Sequence, residues 1–151
     1  MRIQPDDLTG PEIAVLLQEH LNDMNAVSPP ESKHALDLTT LKASDISFWT
    51  IWQQQQLAGC VALKQLNTRQ GEIKSMRSAT AFRGQGLGKL LLQHVITEAK
   101  NRGYQQLFLE TGAMDYFAPA RALYKDFGFE PCAPFASYKE DPNSVFMLLQ
   151  L

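Results

Sequence analysis

Cysteine is scarce in this chain, with only Cys60 and Cys132 among 151 residues. Two widely separated thiols offer no metal cluster, and in a reducing compartment no disulfide. Cys60 lies in the apolar run Gly59-Cys60-Val61-Ala62-Leu63 and reads as a buried structural thiol, while no Cys–His spacing marks Cys132 as a nucleophile. Long hydrophobic runs are missing too: none approaches the roughly 20 residues that cross a bilayer. The opening MRIQPDD lacks the apolar centre of a signal peptide. A cytoplasmic protein that binds no membrane is expected. Nor is there a basic excess. Fourteen Lys and Arg stand against sixteen Asp and Glu, for a formal charge of −2, which argues against a general nucleic-acid binder. No repeats or linkers divide the chain, and its length suits a single domain spanning 1–151.

What is present is a regular succession of strands and amphipathic helices. Met1 to Gln4 suits a short edge strand ended by Pro5-Asp6-Asp7. Thr9 and Glu12 have capping-box spacing, and Ile13, Leu16, Leu17, Leu21 and Met24 repeat along one helical face. His20 sits beside that stripe and reads as a packing residue. Pro29-Pro30 opens an irregular stretch from Ser28 to Asp45, expected to be a loop with a short helical piece. Ile46 to Leu66 then reads as two antiparallel strands joined through Gln53 to Gln56. After a turn at Asn67 to Gly71, a third strand leads into a helix from Gly86 to Arg102, ended by Gly103. Leu107-Phe108-Leu109 makes a buried strand core, and a strand–helix–strand crossover of this length implies parallel neighbours. A ligand then belongs at their carboxyl ends. Pro119 suits the start of another helix, Gly128 its stop, and Val145 to Leu149 a last strand.

The chemistry concentrates in Glu72 to Lys89, EIKSMRSATAFRGQGLGK, where the third strand stops at a glycine-rich turn that opens into a helix. Gly84, Gly86 and Gly88 let backbone approach a ligand, and the unpaired N–H groups of the helix's first turn favour an anion such as a pyrophosphate. Arg83 and Lys89 add charge at the edges. Lys89 is followed by Leu90, so the hydroxyl of a P-loop is missing. A dinucleotide fold would continue through further strand–helix units, for which too little chain remains.

The run Arg83-Gly84-Gln85-Gly86-Leu87-Gly88 resembles the acetyl-CoA signature of the GNAT N-acetyltransferase superfamily. Ala120-Arg121-Ala122-Leu123-Tyr124 and Gly128-Phe129 resemble its A-x-x-L-Y and G-F elements at a fitting distance. The resemblance implies an α/β fold with a mixed, mostly antiparallel sheet flanked by helices. It further implies acetyl-CoA as cosubstrate, no metal, and acetyl transfer to a primary amine by direct attack in a ternary complex. In the superfamily the strand before the turn splays from its neighbour and pairs with pantetheine, which would put Met76, Arg77 and Ser78 along the cofactor and the turn residues Arg83, Gly84, Gln85, Gly86, Gly88 and Lys89 on its pyrophosphate. Three positions depart from the pattern: Ser78 where Val is common, Thr80 where Pro is frequent, and Phe117 where many members have Asn.

Acetyl transfer needs an amine relieved of its proton and a protonated leaving thiol. An alkyl ammonium has a pKa of about 10.4, so a base is required at neutral pH. Glu72 is the first candidate, set before Arg83 at the interval where the histone-acetyltransferase branch carries its glutamate; the competing reading is a carboxylate paired with Lys74 or Arg77. Glu110, at the end of the next strand, is the second candidate. Tyr124 resembles the tyrosine that protonates the departing thiolate, with Tyr138 as its substitute or as a wall of the acceptor pocket. Lys33, His34, Arg77 and Lys139 could meet an acidic group on the acceptor. A small-molecule amine is preferred to a protein amine. A non-catalytic acyl-CoA-binding sensor, and a subunit that forms a homodimer through exposed strand edges, are the alternatives.

Overall fold

The computed structural model describes residues 1–27 and 38–151. Among them run β1 (Arg2–Pro5), α1 (Pro11–Val27), α2 (Leu38–Leu41), β2 (Ile46–Gln53), β3 (Gln56–Gln65), β4 (Gln70–Ser78), α3 (Leu87–Asn101), β5 (Gln106–Gly112), α4 (Ala118–Asp126), β6 (Glu130–Cys132) and β7 (Ser144–Gln150). Short 3-10 turns at Thr80–Phe82 and Asp115–Phe117 precede α3 and α4. The strands form one sheet in the order β1-β2-β3-β4-β5-β7-β6. Only β4 and β5, joined through α3, run parallel; the other neighbours are antiparallel. This is the mixed, mostly antiparallel sheet that the sequence led us to expect.

Each face of the sheet carries its own core. Ile73, Leu63 and Val61 pack against Leu91, Leu92 and Val95 of α3, with Tyr124 and Phe129 joining from α4 and beyond it. On the other face Phe48, Cys60 and Ala62 meet Ile13, Leu16 and Leu17 of α1. Cys60 is fully buried there, and burial pushes its thiol up to about 12. The start of α1 differs from the expected capping box. Thr9 donates its hydroxyl to Asp7 at 2.6 Å, two residues back, instead of closing onto the helix. β6 is an addition to the sequence reading: a three-residue edge strand containing Pro131, too short to leave a periodic signal.

Two irregularities in β4 shape the region around it. Cys60 pairs with Arg77 and Ala62 with Lys74, so Ser75 and Met76 together stand opposite Val61. This is a β-bulge, with Ser75 at φ 52°. Because strand side chains alternate between faces, the extra residue carries Arg77 onto the face of Lys74 and Cys60, toward α1. Parallel pairing with β5 also stops early: the register runs from Gln70↔Gln106 to Ile73↔Leu109 and no further. Beyond it, Lys74 to Ser78 and Glu110 to Gly112 diverge.

Candidate active site

Two cavities occupy the gap between the diverging strands. The deeper, about 130 Å³, is lined by Glu72, Lys74 and Ser75 of β4, Glu110 and Thr111 of β5, and Tyr138 from the segment before β7. The outer, about 390 Å³, is a groove along Met76, Arg77 and Ser78, past Arg83, Gly84 and Gly88, with Tyr116, Pro119 and Leu123 opposite. His20, Met76, Phe117, Ala120 and Tyr124 line both.

The groove ends at the glycine turn. Gly84 and Gly86 adopt φ of +80° and +78°, which L side chains rarely adopt, and a Cβ on either would meet nothing within 4 Å. Gly86 caps α3 without any side-chain hydrogen bond. The Leu90 N–H, on Gly86 O at 3.4 Å, begins the backbone ladder of the helix. The preceding N–H groups and the positive helix end are therefore disposed to receive an anion. Gly88 also packs closely on α4, since a Cβ there would come within 2.9 Å of Leu123 Cδ2 and that side chain would have to shift. Gln85 and Lys89 sit exposed on the turn and the first turn of α3.

Arg77 turns from the groove into an ion cluster on α1. Its guanidinium donates to Glu19 at 2.6 Å and Asp23 at 2.8 Å, and its side chain is only 5% exposed. For Asp23 the Arg77 hydrogen bond is the largest cause of a lowered pKa. For Glu19, burial opposes the shift, but hydrogen bonds from Thr80 and Arg77 outweigh it. With two carboxylates already on it, Arg77 has little charge to offer an acidic acceptor. Arg83 reaches Asp23 at 3.2 Å and the Tyr116 hydroxyl at 3.0 Å, and Tyr116 itself donates to Asp23. Sequence reading missed this cluster because it depends on the bulge. Lys139 is exposed, and Lys33 and His34 lie outside the described residues.

The deeper cavity brings both candidate bases together in different surroundings. Glu72 is 2% exposed, and its Oε2 receives the Tyr138 hydroxyl at 2.7 Å and Lys74 Nζ at 2.9 Å. Lys74 also bonds to Tyr138 at 2.8 Å, closing a three-membered network. The carboxylate–lysine pairing weighed from the sequence is thus present. Glu110 has its pKa raised to about 8. Burial is the main cause; Lys74 opposes it, and the Glu72 and Asp141 carboxylates reinforce it. Tyr138 is held in place by Phe135 and Phe146, whose rings lie 5.1 and 5.6 Å from its own.

Tyr124 extends from α4 to the junction of the cavities. The helix starts at a proline-favoured first turn, and Arg121 ties it to the end of β5 through Gly112 O at 2.6 Å and Met114 O at 3.0 Å. Burial first, and then the Glu110 carboxylate, raise the phenol's pKa, so it stays protonated at neutral pH. Phe117 lies against Gly112, where a Cβ would collide with its ring at 2.1 Å. An apolar wall thus stands where the superfamily pattern carries an amide.

A glycine turn at a helix N-terminus, a groove along a strand that leaves its neighbour, and titratable groups at the groove's inner end make up the arrangement. A model of the acetyltransferase (GNAT) family matches residues 14–129. The chain belongs to that family. It is 55% identical over 151 residues to the uncharacterised N-acetyltransferase YsnE of Bacillus subtilis, covering all of both chains. To the IAA acetyltransferase of Azospirillum brasilense it is 36% identical over 137 residues, covering 89% of this chain and 88% of that protein. Among solved structures, a Klebsiella pneumoniae protein assigned to the acyl-CoA N-acyltransferases superposes with a TM-score of 0.81 at 28% identity, covering 99% and 97% of the two chains. As a GNAT member, this chain is an acetyl-CoA-dependent N-acetyltransferase. No metal-ligand cluster occurs among the described residues. No described helix is long and apolar enough to cross a membrane.

Proposed function

We propose that this GNAT enzyme acetylates a primary amine of a small molecule by direct attack within a ternary complex, as one domain over 1–151. The observation that carries this reading is the end of β4–β5 pairing at Ile73↔Leu109, beyond which the strands part between the glycine turn and the cavity lined by Glu72 and Glu110. Pantetheine would take the pairing positions vacated along Met76 to Ser78, and its pyrophosphate the turn from Arg83 to Lys89. The inner cavity, about 130 Å³ among the described residues, favours a compact acceptor over a folded protein surface. Two free cysteines suit a cytoplasmic setting, and the outer strands β1 and β6 leave edges on which a second copy could pair.

Glu110 is the better base. Glu110 lines the inner cavity, and with its pKa near 8 it has in its ionised form the proton affinity to draw a proton from an ammonium. The freed amine attacks the thioester carbon and its π pair moves to oxygen. As the adduct collapses, the carbonyl re-forms and the C–S bond breaks. Tyr124 protonates the thiolate and is restored by the second proton leaving nitrogen. Glu72 positions Lys74 and Tyr138 at the acceptor's side. The test is acetyl-CoA turnover across an amine panel, with calorimetric binding of acetyl-CoA beside it. Turnover on small amines that falls strongly in Glu110→Gln supports the reading. Acetylation of protein amines with no small-molecule turnover would overturn it.

A further inference from the structure

The cofactor groove and the inner cavity share five residues, and of these only His20 and Tyr124 can donate a side-chain hydrogen bond. They come from helices packed on opposite faces of the sheet, α1 and α4, and both line the two cavities in the gap between β4 and β5. The acetyl group must lie at this junction, because an amine in the inner cavity has to reach a thioester that enters along the groove. Met76, Phe117 and Ala120 complete the lining and keep it apolar, which strengthens any hydrogen bond made within it.

Acetyl transfer creates two points of negative charge there, on the thiolate sulfur and on the carbonyl oxygen. Tyr124 answers the first. His20 is the side chain left for the second, since neither of its ring nitrogens is hydrogen-bonded to another described residue. Burial, and then the nearby Arg77 guanidinium, pull its pKa down to about 4 against the opposing pull of Asp23. The ring is thus neutral at physiological pH and keeps one N–H donor. A neutral imidazole can polarise a carbonyl without repelling the incoming ammonium.

Resting on the acetyl-transfer reading above, we infer that His20 is a further catalytic residue: its imidazole N–H donates to the acetyl carbonyl oxygen of the bound thioester and stabilises the oxyanion of the adduct. The π pair that moves to oxygen on attack is held by this bond and returns when the C–S bond breaks. His20 neither gains nor loses a proton. The bond is made weakly to the ground-state carbonyl and strongly to the oxyanion, so removing it should affect kcat more than binding.

The effect can be read without knowing the acceptor, because CoA lacks the acetyl oxygen. Calorimetry on wild type should give acetyl-CoA an affinity advantage over CoA of about three- to tenfold. His20→Phe should lower the ratio about threefold or more with CoA affinity unchanged, and His20→Gln, whose amide N–H can replace the donor, should restore most of it. With any amine that turns over, kcat should drop about 100-fold or more in His20→Phe at a similar KM for acetyl-CoA. Equal discrimination in wild type and His20→Phe, or no discrimination in wild type, would overturn the inference and leave acetyl transfer standing. Wild type that binds neither thioester nor CoA would overturn both.

Discussion

Tyr138 donates a 2.7 Å hydrogen bond to Glu72 across 66 positions of the chain, and that bond ties the segment before β7 to β4 at the wall of the inner cavity. Glu72 also neutralises Lys74, whose side chain is 9% exposed. Glu72→Gln removes the carboxylate that pairs with the buried Lys74 and should cost roughly 3 kcal/mol. Differential scanning calorimetry should register this as a fall in Tm of about 6–12 °C. Tyr138→Phe removes two hydrogen bonds, one to Glu72 and one from Lys74, and should cost about 2 kcal/mol.

Glu110 sets the expected pH dependence of the rate. Its carboxyl is protonated below about 8 and becomes a base above it. With a saturating amine, kcat should rise through pH 8 and level off above it, and Glu110→Gln should lose about 100-fold or more with no such rise. Stability should run the other way. The folded pKa is raised above 4.5, so folding becomes less favourable as pH climbs from 4.5 to about 8, and Glu110→Gln should lack that decline in denaturant titrations.

Gly86→Asp should abolish the thermal shift produced by acetyl-CoA. The new side chain has open space around its Cβ, so its carboxylate would stand at the anion site without a large clash. Gly86→Asn pays a similar backbone cost at φ +78° but adds no charge. It should keep a substantial share of the shift, and the contrast between the two isolates electrostatics from strain.

Arg77→Met should separate the fold from the cofactor. The ion cluster with Glu19 and Asp23 is lost, but these carboxylates are 33% and 34% exposed and can hydrate. A loss of about 1–2 kcal/mol is expected in chemical unfolding. Acetyl-CoA affinity should change less than about threefold, because β4 would bind pantetheine through its backbone.

His20 should leave its own trace on acid stability. Its folded pKa lies near 4 against an ordinary 6.5, so the unfolded chain takes up the proton first as pH falls. Wild type should lose up to about 3 kcal/mol between pH 6.5 and 4 from this group alone. His20→Gln should flatten that segment of the stability curve.

The local elements were legible because each had a local cause. The stripe from Ile13 to Leu17 places α1, Gly103 and Gly128 end α3 and α4 at φ +82° and +99°, and the crossover length makes β4 and β5 parallel. The glycine turn was legible for the same reason, since its conformational need is written into Gly84 and Gly86. His20 was passed over because periodicity assigns a residue to a helical face but does not reveal what that face meets.

The sequence by itself determined the order of the elements apart from β6, and the glycine turn that opens α3, because these follow from backbone propensity and short-range spacing. Tertiary structure alone decided how the charges are distributed. An extra residue at the Ser75 bulge sends Arg77 to α1, and of two glutamates in one cavity Glu72 receives Lys74 and Tyr138 while burial raises the pKa of Glu110. Charge and proton affinity depend on desolvation and on partners tens of residues away, and neither quantity exists until the sheet has closed around them.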